Sequence, residues 1–229
     1  MFWEEDDDKT LPYQAPDDIL DVSFSFNCKA LPLDHAWSLL IALQQHIPWI
    51  STDSQIGIHQ IHVAESANGW QRPADTSAEL LYPSRRTKLS IRLHKEQLPA
   101  IAELSGCALS IEGNTLTIGT MKPKPLTNAS VIFARYVASE KTETEAAFLQ
   151  RMAHHIQTLT GIKVKKMMCG KSHIIHTPHE DLYTRYLMIA DLDSEPSIQL
   201  QQHGLGDYRT LGCGLFLPHK GIKSLNPSE

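Results

Sequence analysis

The chain has 229 residues, a length that fits one large domain or two small ones. Its 41% hydrophobic and 21% charged residues are ordinary for a folded protein, and without a run of about 18 apolar residues no membrane-spanning helix is expected. Four scattered cysteines with no Cys-x-x-Cys pair argue against a zinc ribbon or a disulfide scaffold, and favour reduced thiols in the cytoplasm.

The net charge of −5 is unevenly distributed. Residues 1–22 hold eight acids and one lysine, which leaves the rest of the chain with a net charge of +2. The basic side chains concentrate in two clusters, which are Arg85, Arg86, Lys88, Arg92 and Lys95, and Lys163, Lys165, Lys166 and Lys171. Such clusters can bind a polyanion, although they can also serve only to solvate the surface.

The first half of the chain predicts the order strand, helix, strand, strand, helix, strand. Residues 1–18 are predicted to be an acidic flexible tail that is not a secretory signal. The elements that follow are a strand at Ile19–Lys29, a helix from about Pro32 to His46 capped by Asp34, a strand at Gln55–Val63, a loop at Ala64–Ala78, a strand at Thr87–Leu93, a helix at Glu96–Leu104 and a hairpin of Cys107–Ile111 with Thr115–Thr120.

The second half repeats this order after a stiff Lys-Pro-Lys-Pro joint, which places the linker at residues 122–128. The predicted elements are a strand at Val131–Ala138, a helix at Glu143–Thr160, a hairpin of Ile162–Cys169 with Ser172–Thr177 around Gly170, a strand at Tyr186–Leu192, a helix at Ser194–His203 capped by Ser194 and a strand at Leu215–Leu217. The repeated order predicts an α+β protein of two tandem ferredoxin-like domains, over residues 19–121 and 129–222, each an antiparallel sheet with helices on one face. That fold hosts many functions and leaves function open.

A glycine-rich segment near the end of the chain narrows the function. Gly204, Gly206, Gly212 and Gly214 form two Gly-apolar-Gly units, with Arg209 between them. Glycines allow positive φ angles and close approach of backbone N–H groups to a phosphate, and arginine suits a phosphate or base contact. A single unit of this kind is more often an ordinary turn; two at this place in a duplicated chain are more specific.

This segment, with the Leu-Phe-Leu-Pro-His-Lys that ends at Lys220, resembles the C-terminal glycine-rich loop of the RAMP superfamily. Leu-Pro-Leu-Asp-His ending at His35, Ile-Pro-Trp ending at Trp49 and the basic strand Arg86–Leu93 also fit. Within that superfamily the chain is most similar to the CRISPR-associated endoribonucleases of the sixth Cas family, in a myxan-like subtype. The resemblance covers about Val22 to Lys220.

The resemblance implies a metal-independent endoribonuclease with no cofactor that cuts precursor CRISPR RNA within its repeats. A ribose 2′-hydroxyl attacks the adjacent phosphate, which leaves a 2′,3′-cyclic phosphate and a 5′-hydroxyl. The implied partners are the repeat stem-loop, to which the enzyme stays bound after cutting, and other subunits of a CRISPR effector complex. Histidine suits the acid and base steps, and lysine or arginine suits the charge of the transition state.

Two histidines are candidates for proton transfer. His35 is the first choice, because it matches the family motif and lies in the first turn of the first helix, where the helix dipole favours its neutral form. His46 ends the same helix and is the rival, because related enzymes differ in where on this helix the histidine sits. Which of them would be acid or base is left open.

The residues predicted to contact RNA come from the basic clusters and the glycine-rich segment. They are Arg85, Arg86, Lys88, Arg92, Lys163, Lys165, Lys166, Lys171, Gly204, Gly206, Arg209, Gly212, Gly214 and Lys220. No metal site is expected, because the run His173-x-x-His176-x-x-His179 places neighbouring histidines on opposite faces of a strand and lacks a further ligand at suitable spacing.

Two other functions stay open. One is a non-catalytic RAMP subunit that only binds or caps guide RNA, and the other is a general RNA-binding module outside CRISPR biology.

Overall fold

The computed structural model of the chain describes residues 13, 15–63 and 79–219. Residues 1–12 and 14 of the predicted tail, the predicted loop Ala64–Ala78 and Lys220 lie outside the described residues. The strands are β1 (Ile19–Asn27), β2 (Leu31–Pro32), β3 (Gly57–His59), β4 (Leu80–Leu81), β5 (Leu89–His94), β6 (Ala108–Ile111), β7 (Asn114–Pro125), β8 (Ile132–Ala138), β9 (Lys166–His176), β10 (Asp181–Ala190) and β11 (Leu217–Pro218). The α-helices are α1 (Ala36–Gln44), α2 (Leu98–Ile101), α3 (Glu145–Thr160) and α4 (Ser194–His203).

Two antiparallel sheets share one strand order. The N-terminal sheet runs β3-β5-β1-β7 with β6 added at the β7 edge, and the C-terminal sheet runs β11-β8-β10-β9. In each unit the first and third strands are central and the second and fourth lie outside them. This duplicated β-α-β-β-α-β arrangement confirms the predicted fold class.

The alternation of side chains explains the two faces of the N-terminal sheet. In β5, Leu89, Ile91 and Leu93 are fully buried in the first core, while the intervening side chains face the other way. In β1, Val22 and Phe24 are likewise completely buried. The second face of this sheet is therefore the polar one.

The two halves also share buried apolar contacts. The core of the N-terminal half includes Tyr136, Ile175, Leu182, Leu211 and Cys213 from the C-terminal half. Because these side chains come from strands and from the glycine-rich segment, the second half packs directly on the first. Among the described residues no helix is long and apolar enough to cross a membrane.

The predicted hairpin around Gly170 is wrong, because β9 continues through that residue. A Cβ at Gly170 would lie 3.2 Å from the Cβ and Cδ1 atoms of Tyr186 on β10. The glycine therefore makes room for an aromatic ring on the paired strand, and the reversal occurs between His176 and Asp181, where β9 pairs with β10.

The Lys-Pro-Lys-Pro segment also differs from its prediction as a joint, because it is the end of β7. Pro125 pairs with Leu20 of β1, while β6 pairs with β7 only between Asn114 and Thr117. Prolines are tolerated where a strand has a partner on one side only. The division of the chain into two units at residues 122–128 stays a prediction.

Two predicted helix caps are not formed. The N-cap residue of α1 is His35, and the Asp34 Oδ2 atom instead accepts a hydrogen bond from the backbone N–H of His176 at 3.0 Å. The N-cap residue of α4 is Asp193, without a side-chain cap, and Ser194 is the first helical residue.

Candidate functional site

His35, the first choice for proton transfer, is buried and hydrogen-bonded to the backbone. Its ring is 1% exposed, with Nδ1 2.9 Å from the carbonyl oxygen of Pro32 and Nε2 accepting a hydrogen bond at 3.0 Å from the backbone N–H of Ile61. The two contacts define a neutral ring with its proton on Nδ1. A ring with both nitrogens occupied by the backbone cannot exchange a proton with a substrate in this conformation.

The contact with His35 also explains why β3 is shorter than the predicted strand Gln55–Val63. The N–H of Ile61 turns to the histidine, and the Gln60 side-chain amide donates to the carbonyl oxygen of Leu211 at 3.0 Å. The backbone is thereby drawn away from β5 after His59.

His46, the second candidate, is exposed. It is the second residue after α1, and its backbone N–H donates to the carbonyl oxygen of Leu43 at 3.0 Å. Its position leaves the ring accessible to a substrate, at the end of the helix opposite to His35.

Arg92, predicted to contact RNA, connects the two halves instead. Its side chain is completely buried and binds Asp21 bidentately, with Nε 2.8 Å from Oδ1 and an Nη atom 2.9 Å from Oδ2. The other Nη atom donates to the carbonyl oxygens of Gln201, at 2.5 Å, and Phe216, at 3.0 Å. With its donors used inside the protein, Arg92 is a clamp between the sheets rather than an RNA contact.

Electrostatics reinforce this clamp. Burial alone would raise the pKa of Asp21, but the charge of Arg92, assisted by His59, outweighs it and holds that pKa well below its usual range. Burial lowers the pKa of His59 by more than the neighbouring carboxylate raises it. His59 is therefore neutral at pH 7, with Nε2 3.4 Å from the Asp21 carboxylate.

Arg209 is a second internal clamp and is likewise not placed to contact RNA. It is 7% exposed and donates to the carbonyl oxygens of His203, Gln202 and, at 2.9 Å, Gln55 of the N-terminal half. Burial, and to a smaller extent the charge of Arg92, lower its pKa to about 10. It therefore stays charged at neutral pH and holds the glycine-rich segment in place.

The glycines of this segment serve the fold more than phosphate binding. Gly204, Gly212 and Gly214 are buried at positive φ, and their N–H groups bond to the carbonyl oxygens of Leu200, Arg209 and Tyr136 respectively. A Cβ at Gly214 would overlap the backbone of Leu205. Of the four predicted glycines, only Gly206 is exposed, so the expectation that all four present their N–H groups to a phosphate does not fit this structure.

A pocket of about 180 Å³ lies between the polar face of the N-terminal sheet and the C-terminal half. It is lined by Lys88, which directly precedes β5, by Lys124 of β7 and by Arg135 of β8, together with Ser23 and Ser90. Its one carboxylate, Asp21, is already paired with Arg92. The pocket is therefore cationic and suited to an anion.

Sequence reasoning found Lys88 but missed Lys124 and Arg135 of this pocket. The Lys-Pro-Lys-Pro pattern predicts a joint for Lys124, whereas β7 carries this residue opposite Asp21. Arg135 lies on a predicted strand between Ala134 and Tyr136, both buried. The alternation of that strand was the available signal for a charged side chain on its second face.

The remaining basic candidates are on the surface. Arg85, Arg86, Lys163, Lys165 and Lys171 are exposed, which suits contact with a polyanion. Lys166 is also exposed, and it pairs with Asp191 at 2.7 Å.

The turn between β9 and β10 packs against the start of α1 and the glycine-rich segment. The ring of His179 meets that of Trp37 edge-on, with centroids 5.6 Å apart, and the Tyr208 hydroxyl donates to Glu180 at 3.2 Å. Tyr208 has a φ of 63°, a strained value for a residue other than glycine. Three elements distant in sequence therefore meet here.

No group of three or more His, Cys, Asp or Glu side chains among residues 13, 15–63 and 79–219 is arranged to hold a metal ion.

Burial raises the pKa of the Cys213 thiol to about 12, so this cysteine is inert at neutral pH.

The Cas6 family of CRISPR proteins matches residues 20–221. The chain is 29% identical over 199 residues to the CRISPR-associated endonuclease Cas6 of Myxococcus xanthus strain DK1622, covering 87% of this chain and 81% of that protein.

Solved structures share the fold at low sequence identity. A CRISPR-associated protein Cas6 aligns with a TM-score of 0.57 at 8% identity, covering 88% of this chain and 100% of the other. A Cas6-related protein from Pyrococcus furiosus aligns with a TM-score of 0.54 at 15% identity, covering 88% and 99% of the two chains.

Proposed function

The chain belongs to the Cas6 family, and on this premise we propose that it is a CRISPR repeat-specific endoribonuclease that processes precursor CRISPR RNA into guide RNAs. The observation that carries the proposal is the cationic pocket between the two sheets, in a chain of this family. The endonuclease activity named for the Myxococcus relative supports it.

We propose that cleavage needs no metal ion. The ribose 2′-hydroxyl attacks the adjacent phosphorus, the bond to the 5′ oxygen breaks, and the products are a 2′,3′-cyclic phosphate and a 5′-hydroxyl. The protein has to hold the RNA in line, move protons and balance the charge of the phosphorane. Of the two helix histidines, His46 stays a candidate for proton transfer because its ring is exposed.

The two basic regions suit different parts of the substrate. The pocket of Lys88, Lys124 and Arg135 has room for a phosphate and its ribose but not for a duplex. The exposed lysines Lys163 and Lys165 directly precede β9 and Lys171 lies within it, and β9 is an edge strand open to a larger ligand. We therefore assign single-stranded RNA to the pocket and the repeat stem to the β9 lysines. Retention of the product and binding to effector subunits belong to the same proposal.

The first test is cleavage of a labelled repeat RNA, taken from the CRISPR array of the source genome, in excess EDTA. We expect cutting at one position, and we expect a single 2′-deoxy substitution at that position to abolish it, because the nucleophile is then missing. The matched control carries the 2′-deoxy substitution two nucleotides away and is expected to be cut normally.

Loss of cutting in EDTA that added Mg²⁺ restores would contradict the metal-independent mechanism. Tight binding of the repeat without any cutting would favour the non-catalytic guide-binding subunit. Equal affinity for the repeat and for an unrelated hairpin would favour a general RNA-binding module.

Neutralising the pocket is expected to weaken RNA binding through lost ionic contacts. The logarithm of the RNA association constant decreases with the logarithm of the salt concentration. For the double variant Lys88→Gln and Lys124→Gln, this negative slope should become shallower by about 0.7 for each lost phosphate contact on a single strand. Filter binding between about 50 and 200 mM salt measures this slope. The control is Lys29→Gln, an exposed lysine outside the pocket, and an unchanged slope in the double variant would contradict the assignment.

A further inference from the structure

A histidine–carboxylate pair stands at the turn between β9 and β10. The Nδ1 atom of His176, the last residue of β9, lies 2.7 Å from Oδ1 of Asp181, the first residue of β10. Both side chains are 50% exposed. The pair is therefore open to a bound ligand, unlike the buried pair of Asp21 and Arg92.

The geometry determines which ring nitrogen is available. A carboxylate only accepts hydrogen bonds, so Nδ1 of His176 is protonated and donates a hydrogen bond to Asp181. In the neutral ring Nε2 then has a free lone pair, and within the described residues it has no hydrogen-bond partner. This is the arrangement in which an acidic partner orients a histidine as a base.

The backbone of His176 is fixed relative to the site elements. Its N–H donates to Asp34, which immediately precedes the N-cap residue of α1. The same turn holds Tyr208 of the glycine-rich segment through Glu180. His176 therefore has a defined position where α1, the hairpin turn and the glycine-rich segment meet.

We propose that His176 is the general base of the RNA cleavage, a role that rests on the proposed function. His35 directly follows Asp34 in the chain, but both of its ring nitrogens are hydrogen-bonded to the backbone. His46 is exposed but lies beyond the other end of α1, whose nine residues span about 13 Å. Because the backbone of His176 is bonded to Asp34 at the start of α1, a phosphate bound at His176 is expected to lie away from His46.

The proposed step is balanced in protons. Nε2 of His176 takes the proton of the 2′-hydroxyl while the 2′ oxygen bonds to phosphorus and the bond to the 5′ oxygen breaks. The 5′ oxygen takes up a proton from water, and the imidazolium returns its proton to water. The RNA is divided without net proton release.

The test compares His176→Asn with the native protein on the repeat RNA. The asparagine amide nitrogen is placed like Nδ1, so the bond to Asp181 and the shape of the turn are preserved while Nε2 is removed. We expect the single-turnover rate to fall about 100- to 1000-fold, with unchanged RNA affinity and unchanged thermal unfolding. The matched control is His154→Asn, an exposed histidine on α3, and it should cut at the native rate.

A second substrate separates base from acid. RNA with sulfur in place of the bridging 5′ oxygen has a leaving group that needs no proton, so it rescues loss of an acid but not loss of a base. We expect no rescue of His176→Asn, and rescue would overturn the assignment as base.

A native rate in His176→Asn, or loss of cutting in His46→Asn alone, would overturn the inference and leave the proposed function intact. A native protein that binds the repeat but does not cut it would overturn both.

Discussion

Replacing Arg92 by methionine is expected to lower the free energy of unfolding by about 3–5 kcal/mol, because it leaves the Asp21 carboxylate buried without its cation. The same change removes the hydrogen bonds that Arg92 of β5 donates to the carbonyl oxygens of Gln201 and Phe216 in the C-terminal half. Urea denaturation followed by circular dichroism measures the loss.

The double variant Asp21→Asn and Arg92→Met is the control for the charge. If the uncompensated carboxylate causes most of the loss, the double variant is expected to be more stable than Arg92→Met alone, because no charge then remains buried. Additive losses would show instead that packing around the guanidinium matters more than the ion pair.

The same cluster predicts a stability profile in acid. Folding lowers the pKa values of both Asp21 and His59, so each group favours the folded protein above its ordinary pKa and this stabilisation is lost as the pH falls. The loss is expected to begin near pH 6.5 for His59 and near pH 4 for Asp21. In His59→Gln the loss of stability that begins near pH 6.5 should disappear.

Periodicity was sufficient to predict the central strands of both sheets. The alternation in β1 and β5 places Val22, Phe24, Leu89 and Ile91 in the core, and the order of elements in the two halves is enough for the duplicated topology. The same alternation predicts that Lys88, which directly precedes β5, and Arg92 within it share one face. It could not show that one of these two cations is exposed and the other buried.

The difference between those two side chains arises from distant contacts. The carbonyl oxygens that accept hydrogen bonds from Arg92 belong to Gln201 and Phe216, which lie 109 and 124 positions later in the chain. Gly170 is a similar case, because glycine is needed there to leave room for the ring of Tyr186 on the neighbouring strand. A local pattern interprets such a glycine as a turn, since the paired residue is unknown until the strands are aligned.

The roles of the histidines likewise depend on contacts that are distant in sequence. His35 matches a motif at the start of a helix, but its role depends on the N–H of Ile61, 26 residues further on. His176 has little local signal beyond a histidine-rich run, because Asp181 reaches it only once β9 and β10 pair. Motif and spacing thus select the histidines of α1 as candidates, whereas burial and contacts distant in sequence distinguish one histidine from another.

The expected consequence of His35→Ala is a loss of stability of about 2–4 kcal/mol, with any loss of cutting following the loss of folded protein. The alanine leaves the N–H of Ile61 and the carbonyl oxygen of Pro32 without their partner and opens a cavity beside α1. His46→Ala, by contrast, removes an exposed side chain and should unfold like the native protein.

The decisive measurement is the cleavage rate per folded molecule. Urea unfolding curves give the folded fraction of each variant, and single-turnover cutting of the repeat RNA is then measured at a temperature where His35→Ala is more than about nine-tenths folded, which corresponds to an unfolding free energy above about 1.4 kcal/mol. A rate close to native under those conditions identifies His35 as the residue that ties α1 to the segment after β3. A rate reduced 100-fold or more in fully folded protein would return proton transfer to His35, and would require that RNA binding releases its ring from the backbone, since both nitrogens are occupied before the RNA arrives.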